Sequence, residues 1–277
     1  MKVDLNADDP LIDFEKRRLT LNSVEKSVYH SGTGPAVVIL SEMPGITPQI
    51  SRFARWVRDA GFTVYMPSLF GRDGAVGTAE AGAAVFRSAC ISAEFNALKR
   101  DRSSPVTDWL RELAKVAHRE SGGRGVGAVG MCFTGNFALT MMLEPSMLAP
   151  VLAQPTLPLN DAAGLEISPS DLAVIRERLD REDLTVRAYR FEGDRYCRAE
   201  RFAAYAAALG ERFEGRVLSD QSANPEVPPF YQAYVDTPHS VVTVHLIDEV
   251  GQETVRAKDE IIAFLASRLL GSTNATE

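Results

Sequence analysis

The stretch that most constrains the fold of this chain is Gly130-Met131-Cys132-Phe133-Thr134-Gly135, a G-x-C-x-G set between an apolar run, Val126 to Met131, and a helix-like one, Asn136 to Leu143. A side chain that stands clear at the top of a sheet, on a sharp strand-to-helix turn, needs small neighbours because the backbone there is crowded. Gly130 and Gly135 supply that room.

Hydrophobic periodicity on either side of this turn shows short β-branched runs alternating with longer amphipathic ones, the signature of parallel strands joined by crossover helices. It predicts strands at Ala36–Ser41, Thr63–Met66, Val126–Met131, Pro150–Ala153, Val186–Phe191 and Arg216–Ser219. Helices are expected at about Gln49–Ala60, Pro105–Glu120, Asn136–Leu143, Pro169–Leu179, Arg198–Phe213 and Glu253–Leu270. Leu19 to His30 reads as an antiparallel edge hairpin ahead of the Gly32-Thr33-Gly34-Pro35 turn. Two polar, Pro-rich passages, Gln154–Pro169 and Asp220–Pro238, are long enough to be binding loops or lids. The expected architecture is α/β: a mostly parallel central sheet with helices on both faces.

Composition limits the function. A chain of 277 residues that is 45% hydrophobic can bury one large core, so a single domain over residues 1–277 is expected, with 1–18 as an N-terminal extension. A formal charge of −7 argues against a nucleic-acid partner. The first twenty residues, MKVDLNADDPLIDFEKRRLT, lack the apolar centre of a signal peptide, and no later run reaches the ~20 apolar residues of a membrane span. Cys90, Cys132 and Cys197 form no C-x-x-C pair and are too scattered for a disulfide framework, which fits a reducing cytoplasm. His239 and His245 lack metal-ligand spacing, so no metal and no cofactor is expected. Gly125, Gly127 and Gly130 satisfy G-x-G-x-x-G, but a polar turn (RESGGR) precedes them and the glycines fall inside the strand, which is the wrong context for a dinucleotide.

Chemistry-bearing residues cluster where strands end. A free cysteine is usually a small buried hydrophobe, yet Cys132 lies at the start of a helix-like run between two glycines, a setting that favours a thiolate nucleophile. In α/β-hydrolases the triad follows the chain order nucleophile, acid, histidine. Asp194 follows the strand Val186–Phe191 through Glu192-Gly193, and His239 lies in a loop passage before the final helix. His30 precedes the cysteine and His118 sits in a helix tail. His245 is the competitor for the role of base, although Val244 and Leu246 beside it suggest packing. Glu42 ends the first buried strand and points to the same edge.

At these residues the chain resembles the dienelactone hydrolase family, cysteine members of the α/β-hydrolase fold. The resemblance spans about Ala36 to Leu270 and rests on Ser41-Glu42-Met43-Pro44-Gly45, the G-x-C-x-G, Gly193-Asp194 and His239-Ser240. It implies that Cys132 is the nucleophile, His239 the base, Asp194 its orienter, and Glu42 the acceptor of the thiol proton. It also implies an oxyanion hole from the backbone N–H groups of Phe133 and Met43, and Arg72 of Leu69-Phe70-Gly71-Arg72 as a substrate-carboxylate contact. The family's second such Arg, four residues after the histidine, is Thr243 here. The expected activity is hydrolysis of a small-molecule ester or lactone through a thioester. The alternatives are a carboxylesterase of bulkier substrate range and a noncatalytic ligand-binding member of the fold. Between monomer and dimer the sequence makes no choice.

Overall fold

The structure, a computed structural model, describes residues 4–270; the first three residues of the expected N-terminal extension lie outside it. Its centre is one eight-stranded sheet of order β1-β2-β4-β3-β5-β6-β7-β8. In chain order the strands are β1 Glu15–Leu21, β2 Val24–Gly32, β3 Ala36–Leu40, β4 Thr63–Pro67, β5 Val126–Met131, β6 Met147–Ala153, β7 Val186–Phe191 and β8 Phe213–Leu218. The pairings among β3 to β8 are all parallel, while β2 joins both β1 and β4 antiparallel at the edge. The helices are α1 Pro48–Asp59, α2 Ala79–Ile91, α3 Val106–Ser121, α4 Phe137–Thr140, α5 Pro169–Arg181, α6 Ala199–Leu209, α7 Pro229–Tyr234 and α8 Glu253–Leu269.

Strand β3, AVVIL, shows why the central strands read as unbroken apolar runs. Val38 and Leu40 enter one core while Val37 and Ile39 enter the other, because successive side chains alternate across a sheet covered on both faces. Helix α1 packs on the second face through Ile50, Phe53, Ala54 and Val57, the i, i+3, i+4, i+7 stripe of an amphipathic helix. Burying each large side chain of that stripe contributes ~1.5–3 kcal/mol. Thr47 caps the helix by accepting from Ile50 N, and Pro48 fits the first turn, where its missing N–H costs nothing. Ahead of β1, Asp9 and Asp13 both grip Arg55 of α1, with Arg55 Nη1 2.5 Å from Asp9 Oδ2 and Arg55 Nη2 2.6 Å from Asp13 Oδ1. Paired forks of this kind give geometric specificity as well as energy, and they tie this segment to the domain.

The structure departs from the sequence reading at several elements. The hairpin starts at Glu15 rather than Leu19, with all seven residues of β1 in register with β2. The run after Gly135 is a 3₁₀ turn at Cys132–Thr134 followed by the four-residue α4 and a second 3₁₀ turn, not one continuous helix. The helix expected to reach Phe213 ends at Leu209, because Gly210 takes positive φ, and Phe213 opens β8. Helix α2 was not expected at all. Its AEAGAAVFRSACI has weak amphipathic spacing, yet Thr78 caps it by accepting from Ala81 N.

Two buried polar groups hold the loop after β6 in place. Arg201 of α6, only 1% exposed, spends its guanidinium on four carbonyls of that loop, Leu157, Pro158, Asp161 and Gly164. Glu166 accepts from Ser104 N at 2.5 Å and from Asn136 Nδ2 at 3.0 Å, and Tyr205 donates to Asn136 Oδ1 at 2.7 Å. Burial pushes the Glu166 carboxyl up to about 8 against those hydrogen bonds. Replacing Arg201 by Met leaves buried carbonyls without donors, so a loss of about 3 kcal/mol or more is expected in urea unfolding. For Glu166 the folded carboxyl binds a proton that the unfolded chain releases above 4.5. Unfolding free energy should therefore fall as pH rises from about 4.5 to 8, and Glu166→Gln should flatten that slope.

Candidate active site

Cys132 sits between β5 and the 3₁₀ turn with φ +53, a left-handed conformation rare for a side-chain-bearing residue and costly by ~1–3 kcal/mol. The glycines on either side work by clearance. A Cβ on Gly130 would lie 2.4 Å from Thr134 O, and one on Gly135 would lie 2.5 Å from Pro155 Cα. Thr134 fixes the turn to the end of β3: its hydroxyl accepts from Met131 N at 3.1 Å and lies 3.0 Å from Leu40 O. Thr156 N donates to Cys132 O at 3.0 Å, and the Thr156 hydroxyl lies 3.5 Å from Cys132 Sγ. Gly127 and Gly130 lie within β5, and a Cβ on Gly127 would strike Leu265 of α8 at 2.6 Å, so the overlapping G-x-G-x-x-G serves packing.

The structure brings Asp194 and His239 to this turn. Asp194 Oδ2 lies 2.7 Å from His239 Nδ1, and its other oxygen accepts from Tyr196 N at 2.8 Å and Cys197 N at 3.0 Å. The carboxylate is therefore fixed on both sides, and the imidazole, held at Nδ1, lines the same cavity as Cys132. Burial opposes protonation of His239, but the Asp194 carboxylate and the Cys132 thiolate outweigh it and raise the imidazole well above its ordinary range. Only a 3₁₀ turn and a four-residue helix follow Cys132, so no long helix dipole ends at it.

His245 has a different place. Its Nδ1 accepts from Ser240 N at 3.1 Å and from His239 N at 3.3 Å, which orders the histidine loop. Burial, and then the charge of His239, lower it to about 3, so it stays neutral.

Glu42, expected to accept the thiol proton, is 1% exposed and has no hydrogen bond to the Cys132 thiol among the described residues. Its oxygens are taken up by Gln154 Nε2 at 3.1 Å, by Ser240 Oγ at 2.6 Å and by the Thr243 hydroxyl. Burial raises this carboxyl above the usual range, against the Ser240 and Thr243 hydrogen bonds. Thr243, where the family pattern has a second Arg, is fully buried and faces Glu42 instead of the substrate space. Arg72 does not reach the site either. The chain turns at Gly71 (φ +76) against Pro44, which sends the Arg72 guanidinium outward to Asp8 at 2.6 Å, with its side chain 74% exposed. The N–H groups of Met43 and Phe133 have no acceptor among the hydrogen bonds of the described residues.

A cavity of about 310 Å³ opens onto Cys132 and His239. Helix α2 contributes Ala83, Phe86 and Arg87 to its walls, and α7 contributes Phe230, Tyr231 and Tyr234. The Asp220–Pro238 passage, read as a loop, thus carries a helix that covers the site. Tyr196 sets its ring edge-on to His239 at 5.4 Å between centroids. The sequence places the aromatic run Pro228–Tyr234, with Tyr231, close to His239, but does not single out Gln154, Thr156 or Tyr196. The available signal was positional, since Gln154 is the first polar residue after the apolar strand β6. Among the described residues no cluster of His, Cys, Asp and Glu could hold a metal ion, and no helix is long and apolar enough to cross a membrane.

Comparison with known proteins agrees with this geometry. A search of curated protein sequences found no match. Among solved structures, a dienelactone hydrolase-like promiscuous phosphotriesterase from metagenomic libraries aligns with TM-score 0.61 at 16% identity, covering 92% of this chain and 98% of its own. A dienelactone hydrolase from Klebsiella pneumoniae aligns with TM-score 0.55 at 15% identity, with coverages of 92% and 98%. One from Anabaena variabilis aligns with TM-score 0.54 at 13% identity, with coverages of 93% and 99%. At such identities these likenesses establish the α/β-hydrolase fold. The family model described as Dienelactone hydrolase family matches residues 25–163, from the edge strand through the Cys132 turn to the loop after β6. This chain therefore belongs to the dienelactone hydrolase family.

Proposed function

We propose that this protein hydrolyses a carboxylic ester or lactone through Cys132. The observation that carries the reading is that a cysteine held at φ +53 and a histidine that Asp194 grips at 2.7 Å line one cavity. In this mechanism His239 takes the thiol proton and the thiolate attacks the substrate carbonyl. The tetrahedral oxyanion is held by the N–H groups of Phe133 and Met43. Collapse of the intermediate expels the alcohol, which takes a proton from His239, and leaves a thioester on Cys132. Water then attacks with His239 as base, and the acid product and free thiol are restored.

The cavity favours a neutral, apolar substrate. Phe86, Phe133, Leu159 and Phe230 line it, Arg72 points away and Thr243 is buried against Glu42; Arg87 is the cation among the lining residues. A substrate carboxylate would forgo the contacts the family pattern places at positions 72 and 243, each charge-assisted and worth ~1.5–3 kcal/mol. Neutral aryl esters and enol lactones are therefore expected to exceed carboxylate-bearing analogues about tenfold or more in kcat/KM, and the reverse order would remove this substrate preference.

Cys132→Ala should lower turnover of small aryl esters by about 10³-fold or more while the thermal unfolding midpoint stays within a few degrees. Unchanged turnover would sink the proposal. In the unmodified protein Cys132 should be alkylated near pH 7 well before Cys90, whose thiol burial pushes up, and before the fully buried Cys197. Equal rates at the three thiols would favour a noncatalytic, ligand-binding member of the fold.

A further inference from the structure

Tyr231 on α7 takes no part in the mechanism above, yet it is 3% exposed and its hydroxyl touches two functional segments. The phenol oxygen lies 3.1 Å from the Met43 carbonyl and 3.1 Å from Ser240 Oγ, and Ser240 Oγ lies 2.6 Å from Glu42 Oε2. Each hydroxyl has one hydrogen to give, and a carbonyl can only accept. The Tyr231 hydrogen therefore goes to Met43. At its contact with Ser240, Tyr231 must accept, so the Ser240 hydrogen goes to Tyr231. Ser240 has nothing left to donate to Glu42, and the proton in the 2.6 Å contact belongs to the carboxyl.

The remaining contacts of Glu42 agree with a neutral acid. Gln154 turns its Nε2 toward Oε2 at 3.1 Å, and that orientation is set because Gln154 Oε1 accepts from Val241 N at 3.2 Å. Thr243 donates to Oε1. One hydrogen leaves the carboxyl and two enter, with no clash of donors. An ionised Glu42 would draw the Ser240 hydrogen to itself. The Ser240 and Tyr231 oxygens would then face each other at 3.1 Å with no hydrogen between them.

We propose that Glu42 is kept as the neutral acid at the head of a one-way hydrogen-bond chain, Glu42 to Ser240 to Tyr231 to the Met43 carbonyl, and that Tyr231 is a positioning residue for the Met43 backbone. Of the groups facing Glu42, His239 is the charged one and favours the carboxylate; Tyr231 from α7, Gln154 from the end of β6, Ser240 and Thr243 are uncharged, and complete burial favours the acid. A carboxyl that already holds its proton cannot accept the thiol's, which leaves that role to His239. Through Tyr231 the covering helix fixes the residue whose N–H faces the oxyanion. This catalytic consequence rests on the hydrolase reading above; the protonation state does not.

Infrared difference spectroscopy on the full chain tests it. The spectrum of the unmodified protein minus that of Glu42→Gln at pH 7 should show the C=O stretch of a protonated carboxylic acid; the buried Glu166 is common to both and cancels. A difference containing only carboxylate bands would overturn the proposal. In Tyr231→Phe, Ser240 is free to turn toward Glu42, so the pH midpoint of the acid band should fall by about one unit or more. For aryl ester hydrolysis the same variant should lose about tenfold in kcat with KM within about twofold. An unmoved midpoint, or a loss confined to KM, would contradict the role given to Tyr231. An acid band in a protein that turns over no ester would sink the hydrolase reading and leave the chain of hydrogen bonds standing.

Discussion

The left-handed backbone at Cys132 is the constraint on which the rest of the site depends. A residue carrying a side chain holds such a conformation only where its surroundings overdetermine it. Here the surroundings are Gly130 and Gly135, which leave no room for a Cβ, the Thr134 hydroxyl bound to the end of β3, and Thr156 N bound to the cysteine carbonyl. Because β3, β5, β6 and β7 run parallel, their carboxyl ends share one edge, and Glu42, Cys132, Gln154 and Asp194 follow those four strands. The sheet thus delivers chemically useful side chains to one place without long-range coincidence, as open parallel sheets do generally.

Three buried carboxyls near this edge are treated in three ways. Asp194 receives two backbone N–H groups on one oxygen and lies against the His239 imidazole with the other, which fixes the ring's orientation. Glu166 meets only neutral donors and is pushed up to about 8, so it behaves as a structural acid that ties Ser104 and Asn136 together. Glu42 meets an amide and two hydroxyls, one of which leads away through Tyr231 to the Met43 carbonyl. Residue type alone does not distinguish the three; their hydrogen-bond partners do.

Much of this was legible in the sequence because it depended on local spacing. The alternation of β-branched runs with amphipathic ones located six strands within a few residues, and the order Cys132, Asp194, His239 followed the chain order of the fold. His239 rather than His245 meets Asp194, as the loop position of the first and the apolar neighbours of the second suggested. What escaped depended on contacts between distant segments. Arg72 follows a matching L-F-x-R run, but its direction is decided by Gly71 against Pro44 and by Asp8, some sixty residues earlier. Glu42 lies at the expected edge, yet Ser240 and Thr243, two hundred residues on, claim its oxygens. Helix α2 holds its place by packing on α7 and not by its own weak periodicity, which is why no pattern announced it.

The account stands or falls on covalent chemistry at one sulfur. Rapid acid quench of the protein with a slowly deacylated aryl ester, followed by intact-mass measurement and peptide mapping, reads that chemistry directly. The account predicts a mass increase equal to the acyl group, carried by Cys132 and absent after treatment with hydroxylamine. Turnover accompanied by an acyl group on another residue, or by none at all under conditions where acylation outpaces deacylation, would contradict it.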